Sequence, residues 1–423
     1  MKPVRYIGLL NKHNTDHGVL IGATLLMISV VLIPDLNFIA TEILLFVTFM
    51  WSFTIFSYYP KVDTNIRRMS TFVVLYFLLV LLYKILGISR ATWDIAAGYY
   101  GWMFAIIVSA FSLQMFSDKK LKLIEFVILS VVLISIVYVT IQGNRNMQIM
   151  DMEDAISQES ASYGSSIVLF SGICFIAFLK YKKLLYKIIY GVAFILAVYM
   201  NFVVMQRGTN VIFTVVMVLL LFIYRKNQLK TIRFLFFVAL AFLLFLYSTG
   251  AYVAFLDYIA ELLPSERVAD RIRSINIFIQ TGDYLEAGTS LKTRSELTTS
   301  SINTFQSSIY SFFLGVGDSR GFSDKIGDHS EIIDCLARYG ILGFSILLLA
   351  LISQLKFFLK LLPKENPLHY QVLIVFFVFI LRNIIGNTFT APVSILIFLY
   401  MPIVCYFITK QEIIKNNNSK ILC

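Results

Sequence analysis

Twelve apolar runs of roughly span length dominate this chain. Their approximate cores are residues 18–34, 36–59, 70–88, 98–116, 121–141, 164–179, 186–205, 210–224, 232–249, 341–359, 368–388 and 391–409. Crossing roughly 30 Å of hydrocarbon takes about 20 apolar residues in a helix. In lipid each backbone N–H and C=O must be satisfied within the protein, so such runs select helices over open strands. Composition agrees: 58% of residues are hydrophobic, 14% are charged and the mean hydropathy is +0.78. A soluble domain carries about 45–50% apolar and about 25% charged residues. The expected fold class is an all-α polytopic membrane protein with about 12 transmembrane helices and one large extracytoplasmic loop between helices 9 and 10.

Orientation follows from Lys and Arg in the short loops. With the N-terminus inside, the inner segments hold Lys2, Arg5 and Lys12, then Lys61, Arg67 and Arg68, then Lys119, Lys120 and Lys122. Further along they hold Lys180, Lys182, Lys183 and Lys187, then Arg225, Lys226, Lys230 and Arg233, then Lys356, Lys360 and Lys364, and finally Lys410, Lys415 and Lys420. The short outer loops carry only Lys84, Arg90, Arg145, Arg207 and Arg382. Both termini are therefore expected in the cytoplasm. Three regions follow: helices 1–9 over residues 1–249, an outer loop domain with short amphipathic helices over 250–340, and helices 10–12 with an inner tail over 341–423. The net charge of +11 is spread thinly over the inner loops. It suits anionic lipid and excludes a nucleic-acid footprint. The four cysteines form no disulfide or zinc pattern.

The outer loop has its own periodicity. Ser265-Glu266 opens a run with Val268, Ile272, Ile275 and Ile279 at helical spacing, and with Arg267 and Arg271 on one face. Ile302, Phe305, Ile309 and Phe312 form a second amphipathic stripe; both stripes suit a membrane surface or a cap on the bundle. Between them residues 281–300 show no apolar period and read as a loop carrying Arg294. Gly315-Val316-Gly317 reads as a tight turn, without the third glycine or preceding strand of a dinucleotide fingerprint.

Asp328 and Glu331 fit a capping-box-like helix start, which places His329 in the first turn. Glu331, Asp334 and Arg338 then share one face, and Ile332, Leu336 and Tyr339 another. Gly340 and Gly343 allow a close approach to a neighbour as the helix enters the membrane.

A neutral histidine can accept a proton from a hydroxyl near physiological pH. Arginine forks match phosphate oxygens and stay charged. His329 is therefore the candidate base, and no acidic or histidine spacing points to a metal. From spacing alone a structural histidine at a helix start stands equally. Arg207, in the short turn Gln206-Arg207-Gly208-Thr209-Asn210, reads either as a snorkelling anchor or as a ligand-binding group. Arg382, inside the apolar run VFILRNIIGNTF beside Asn383, reads as a functional charge facing a cavity or as an anchor at the outer end.

The stretch FFLGVGDSRGFSDKIGDHSEIIDCLARYGILGF resembles the signature region of the O-antigen and capsular polysaccharide polymerases and the related O-antigen ligases. The shared pattern is a Gly-x-Gly turn, a histidine, a short acidic and apolar helix, and Tyr-Gly-Ile-Leu-Gly entering the membrane. Gln206-Arg207-Gly208 resembles the arginine-bearing outer turn of that family, and the layout of spans with one late outer loop is similar.

The resemblance implies a GT-C-like glycosyltransferase acting on undecaprenyl-pyrophosphate-linked glycans at the outer face of the bacterial plasma membrane. Polymerases move the growing glycan onto a fresh lipid-linked repeat unit, and ligases move it to another acceptor. The resemblance implies His329 as base or acceptor positioner and Arg207 as a pyrophosphate ligand, with Arg294 as the second loop arginine and Arg271 in reserve. Arg382 is a further candidate pyrophosphate ligand, and Ser330, Glu331 and Arg338 are candidate acceptor or positioning groups. Donor, acceptor and membrane lipid are the implied partners, a chain-length regulator is compatible, and no cofactor is expected. The chain departs from the family's common pattern in two places, Ser330 where ligases typically carry asparagine and no tryptophan after Arg294, which leaves polymerase and ligase both open; the expectation adopted is polymerase. Two other classes compete. A lipid-linked oligosaccharide flippase fits twelve spans, although two related halves are not visible. A structural member of a synthesis complex fits the composition as well.

Overall fold

The computed structural model describes residues 18–32, 62–88, 106–107, 111, 113–146, 159–204, 208–224, 241, 244–246, 248–262, 266–281, 289–317, 326–327, 330–362, 366–386 and 391–421. Among these every regular element is helical. The helices are α1 (Gly18–Leu32), α2 (Thr64–Ile85), α3 (Asp118–Asn146), α4 (Glu159–Lys180) and α5 (Leu184–Tyr199), the last running on as a π-turn over Met200–Val204. They continue with α6 (Gly208–Ile223), α7 (Tyr252–Leu262), α8 (Glu266–Thr281), α9 (Thr289–Gln306), α10 (Ile309–Leu314), α11 (Glu331–Leu361) and α12 (Pro367–Ile385). The last are α13 (Ala391–Ile395), a π-helical stretch Leu396–Tyr400, and α14 (Met401–Ile421).

Among the described residues six stretches are long and apolar enough to cross a membrane: Thr64–Ile85, Asp118–Ile141, Leu184–Phe202, Glu331–Lys360, Pro367–Ile385 and Pro392–Glu412. Ser166–Lys180 and Asn210–Ile223 are shorter apolar helices. The expected span at 36–59, and most of those at 98–116 and 232–249, lie outside the described residues.

Burial sorts the helices into layers. The apolar window of Pro392–Glu412 is 89% buried, whereas that of Leu184–Phe202 is 28% buried. A helix apolar all round and buried all round belongs at the centre, and Ile167–Ala177 of α4 lies beside it as a second fully covered run. On the outer helices Leu78, Leu82, Ile134, Ile188, Ile195, Leu219 and Phe377 are 48% to 64% exposed. Apolar exposure on this scale needs an apolar solvent, and this is a multi-pass membrane protein.

Local caps set the helix ends. Asp63 caps α2 by accepting from Asn65 N at 2.8 Å, and Asn366 caps α12 by accepting from Leu368 N at 3.0 Å with Pro367 opening the helix. The Asp63, Asp118, Lys182, Lys360 and Lys410 ends meet at one end of the bundle. There Lys360 pairs with Asp63 at 2.6 Å, Lys410 pairs with Asp118, and Lys182 Nζ donates to the Gln411 carbonyl at 3.2 Å. Nearby, Tyr181 and Tyr190 both donate to the buried Glu125. Burial first, and then the Glu125 carboxylate, raise the Tyr181 phenol above its usual range, which keeps it a donor.

Two expectations for residues 250–340 change. Residues 281–300 read as a loop in the sequence, yet Thr289–Gln306 is helical. The segment lacks an apolar stripe because its buried positions are the hydroxyl residues Ser301 and Thr304. The stripe through Ile302, Phe305, Ile309 and Phe312 is split between two helices. Ser308 starts α10 by accepting from Ser311 N at 3.0 Å, and Phe305 then stacks on Phe312 at 4.9 Å across the break.

Candidate functional site

The opposite end of the bundle gathers the start of α11, the end of α12 and the start of α6. Ser330, not Asp328, is the N-cap of α11: its Oγ accepts from Ile333 N at 3.2 Å, and the helix begins at Glu331. The expected place of His329 within the first turn is therefore not met, since the helix starts two residues after it. Asp328 and His329 themselves lie outside the described residues.

A carboxylate and a hydroxyl brace both sides of that pair. Asp334 Oδ2 accepts from Ser330 N at 2.9 Å, and its Oδ1 accepts from Ser301 Oγ at 2.6 Å. Ser301 Oγ in turn accepts from Gly327 N at 2.9 Å. Gly327 sits so close to α9 that a Cβ there would lie 2.2 Å from the Leu297 carbonyl oxygen. Residues 327 and 330 are thus pinned to α9 and α11 by groups that are almost wholly buried.

The expected face of Glu331, Asp334 and Arg338 is the buried one, with 3%, 1% and 1% exposure. Arg338 Nη1 lies 3.9 Å from Glu331 Oε1, a pairing by charge and not by a hydrogen bond. Isolated charges at this burial would be costly, so they hold one arrangement or serve a ligand.

Helix α11 does not run smoothly into the membrane. It breaks at Gly340, whose φ is +61°. The break frees the carbonyls of Ala337 and Arg338, which accept from Val316 N at 3.0 Å and Gly317 N at 2.8 Å. The Gly-x-Gly turn is thus a backbone cap, with φ of +76° at Gly315 and +79° at Gly317. A Cβ on Gly315 would lie 2.3 Å from the Arg338 carbonyl carbon, and one on Gly340 would lie 2.4 Å from Phe313. The sequence predicts close approach at Gly340 and Gly343; at Gly340 it comes with a break that only a glycine accommodates.

From Ser330 the polar contacts pass to α12 and α6. Ser330 Oγ donates to the Asn383 carbonyl at 3.4 Å. The neighbouring residue, Arg382, is 8% exposed; its Nη2 donates to Asn210 Oδ1 at 2.9 Å, and its guanidinium lies over the Phe213 ring at 5.5 Å. Thr214 Oγ1 donates to the Asn210 carbonyl at 2.8 Å and accepts from Asn201 in the π-turn of α5 at 3.1 Å. Asn210 Nδ2 and Asn383 Oδ1 are buried and have no hydrogen-bond partner among the described residues. Such groups keep polar capacity for a bound ligand or water.

Arg382, Ser330, Glu331 and Arg338 are therefore brought to one end of the bundle. Arg207 lies outside the described residues, three positions before Asn210 in sequence. Arg294 is on α9, which packs against α11, and Arg271 is on α8, which packs against α7 and reaches α6. Sequence reasoning missed Ser301, Asn201 and Thr214. Their signal was a polar residue inside an otherwise apolar or featureless run.

No family model matches this chain, and no curated protein matches it either. What the site can do rests on its own groups. Beside it a cleft of about 640 Å³ runs along α9, lined by Ser295, Glu296, Thr299, Asn303, Ser307 and, from the Gly-x-Gly turn, Val316. Its lining is mainly apolar by area, as is usual for binding pockets, and the hydroxyl, amide and carboxylate groups set into it suit a polyhydroxylated ligand. Among the described residues no three His, Cys, Asp or Glu side chains gather to hold a metal ion.

Proposed function

We propose that this chain is a twelve-span glycosyltransferase of the bacterial plasma membrane that polymerises undecaprenyl-pyrophosphate-linked repeat units into O-antigen or capsular polysaccharide. The resemblance of residues 312–344 to the O-antigen polymerases motivates the reading. The observation that carries it is the polar path from Asn210 and Arg382 through Asn383 and Ser330 to Asp334 and Ser301. It joins the neighbours of Arg207 to the neighbours of His329, which lie far apart in sequence.

In this scheme Arg207, Arg382 and Arg294 hold the donor pyrophosphate, with Arg271 as the alternative loop ligand. His329 takes the proton of the acceptor hydroxyl, whose oxygen attacks the anomeric carbon. The bond from that carbon to pyrophosphate oxygen breaks, and undecaprenyl pyrophosphate leaves with the electron pair. One displacement inverts the anomeric configuration, with arginine charge stabilising the departing phosphate. The hydroxyl-lined cleft on α9 seats glycan beside the reacting end. The basic end of the bundle faces the cytoplasm and the site faces outward.

The test is the surface glycan of a strain lacking the gene, run on a gel with wild type or His329→Ala supplied back. Single-repeat glycan that wild type extends and His329→Ala does not is the expected outcome. Full-length polymer trapped on its lipid carrier indicates a ligase. Normal polymer from the His329→Ala strain at normal membrane levels overturns the role of His329, and retention of configuration in the linkage overturns the single displacement.

A further inference from the structure

We infer that α10 is an interfacial anchor, seated in the headgroup layer of the bilayer beside the outer ends of α2 and α11. The inference needs only the membrane character of the chain and not the glycosyl-transfer reading.

The helix reads IYSFFL and carries no charge. Ile309 is 75% exposed, Tyr310 76%, Phe313 54% and Leu314 43%, while Ser311 is its buried residue. A six-residue helix that shows most of its large apolar side chains has its covering partner elsewhere.

Its position names that partner. The Phe313–Leu314 backbone lies against Gly340, where α11 breaks and turns into its membrane-crossing part. Tyr83, in the last turn of α2, donates to the Leu314 carbonyl. Around these contacts Leu82, Ile85 and Leu86 at the end of α2 are 48%, 68% and 61% exposed, and Leu342 just past the break is 44% exposed. The apolar face of α10 thus continues the face that the spans present to lipid. Tyr310 has the apolar ring and polar tip that favour the headgroup level. Serines at 307 and 308 and glycines at 315 and 317 bound the patch on both sides.

The anchor has a consequence for the site. The turn leaving α10 caps Ala337 and Arg338, so the depth of α10 sets the height of the Glu331–Tyr339 helix above the bilayer.

The experiment replaces Trp51, Trp93 and Trp102 by Phe and introduces Tyr310→Trp in the full chain. The protein is reconstituted in phosphatidylcholine vesicles, with Phe313→Trp as a second probe and Leu82→Trp as the lipid-facing reference. The expected result is blue-shifted emission from position 310, quenched by lipids brominated near the headgroup more than by lipids brominated near the chain end. Red-shifted emission quenched by aqueous iodide alone places α10 in water and overturns the inference. Blue-shifted emission that brominated lipid leaves unquenched means a protein surface covers the helix, and overturns it too. If Tyr310→Trp alone fails to fold, the same readings at position 313 decide.

Discussion

Ser301 Oγ donates to Asp334 Oδ1 at 2.6 Å, and through that bond α9 is tied to the start of α11. The same hydroxyl accepts from Gly327 N and the same carboxylate from Ser330 N, so one pair fixes the chain on both sides of His329. Neither residue needs to touch substrate to matter; both are positioning residues in the proposed reaction.

Ser301→Ala removes a hydrogen bond to a charged acceptor and leaves Gly327 N without its partner. Such a bond contributes about 1.5–3 kcal/mol, so a lower melting midpoint in detergent is expected. In an assay with lipid-linked repeat units, kcat falls with little change in KM, because the base is displaced while the binding groups remain. Ser301→Thr, which keeps the hydroxyl, recovers part of kcat. An unchanged kcat in Ser301→Ala would show that the brace is not needed.

Four glycines separate backbone strain from contact. Gly87 and Gly250 have φ of +70° and +69°, and a methyl group on either would meet nothing within 4 Å. Gly315 and Gly340 have similar φ, but backbone atoms stand 2.3–2.4 Å from the same position. Left-handed backbone costs a non-glycine residue about 1–2 kcal/mol. Gly87→Ala is expected to lose about that much. Gly340→Ala and Gly315→Ala lose clearly more, from the backbone contact and from ψ of −166° and −174°, a region open essentially to glycine alone, seen as lower yields of folded protein and earlier melting. Equal losses at all four positions would show that the close packing of α10 on α11 adds nothing to stability.

Asn210→Asp places a carboxylate against the Arg382 guanidinium, now 2.9 Å from the amide oxygen. The fold is expected to keep its stability, since an opposite charge favours a buried arginine. In the proposed reaction polymer length on a gel is expected to fall sharply, because the charge that would hold pyrophosphate is then directed to the protein. Arg382→Lys keeps the charge and loses the two-pronged geometry, and a KM raised by roughly tenfold or more is expected.

Topology has a direct check. In intact cells an impermeant maleimide is expected to label Ser307→Cys on the outer loop and to leave Lys182→Cys unlabelled until the membrane is opened. The reverse pattern would invert the assignment of the two bundle ends.

Much of the architecture was legible in the order of residues. Apolar run length selects membrane helices, and the runs at Thr64–Ile85, Asp118–Ile141 and Pro367–Ile385 are found as such. The helical run Glu266–Thr281 is also found where its isoleucines repeat. Thr289–Gln306 was not legible, because its buried positions are the hydroxyl residues Ser301 and Thr304, which leave no apolar stripe to betray it. The start of α11 was misplaced by two residues, since Asp328 and Ser330 are both good caps by chemistry and only the Asp334 contact separates them.

Hydrophobic length and charge sidedness are local quantities, and the sequence by itself determined the class, the helical content and the residue types available for chemistry. Contacts between residues far apart in the chain are not local. That Arg382 meets Asn210, that Ser301 meets Asp334, and that α11 breaks at Gly340 to take its cap from residues 316–317 were decided only by tertiary structure. The reason is that a buried polar group has no preferred partner until packing removes water and leaves it one.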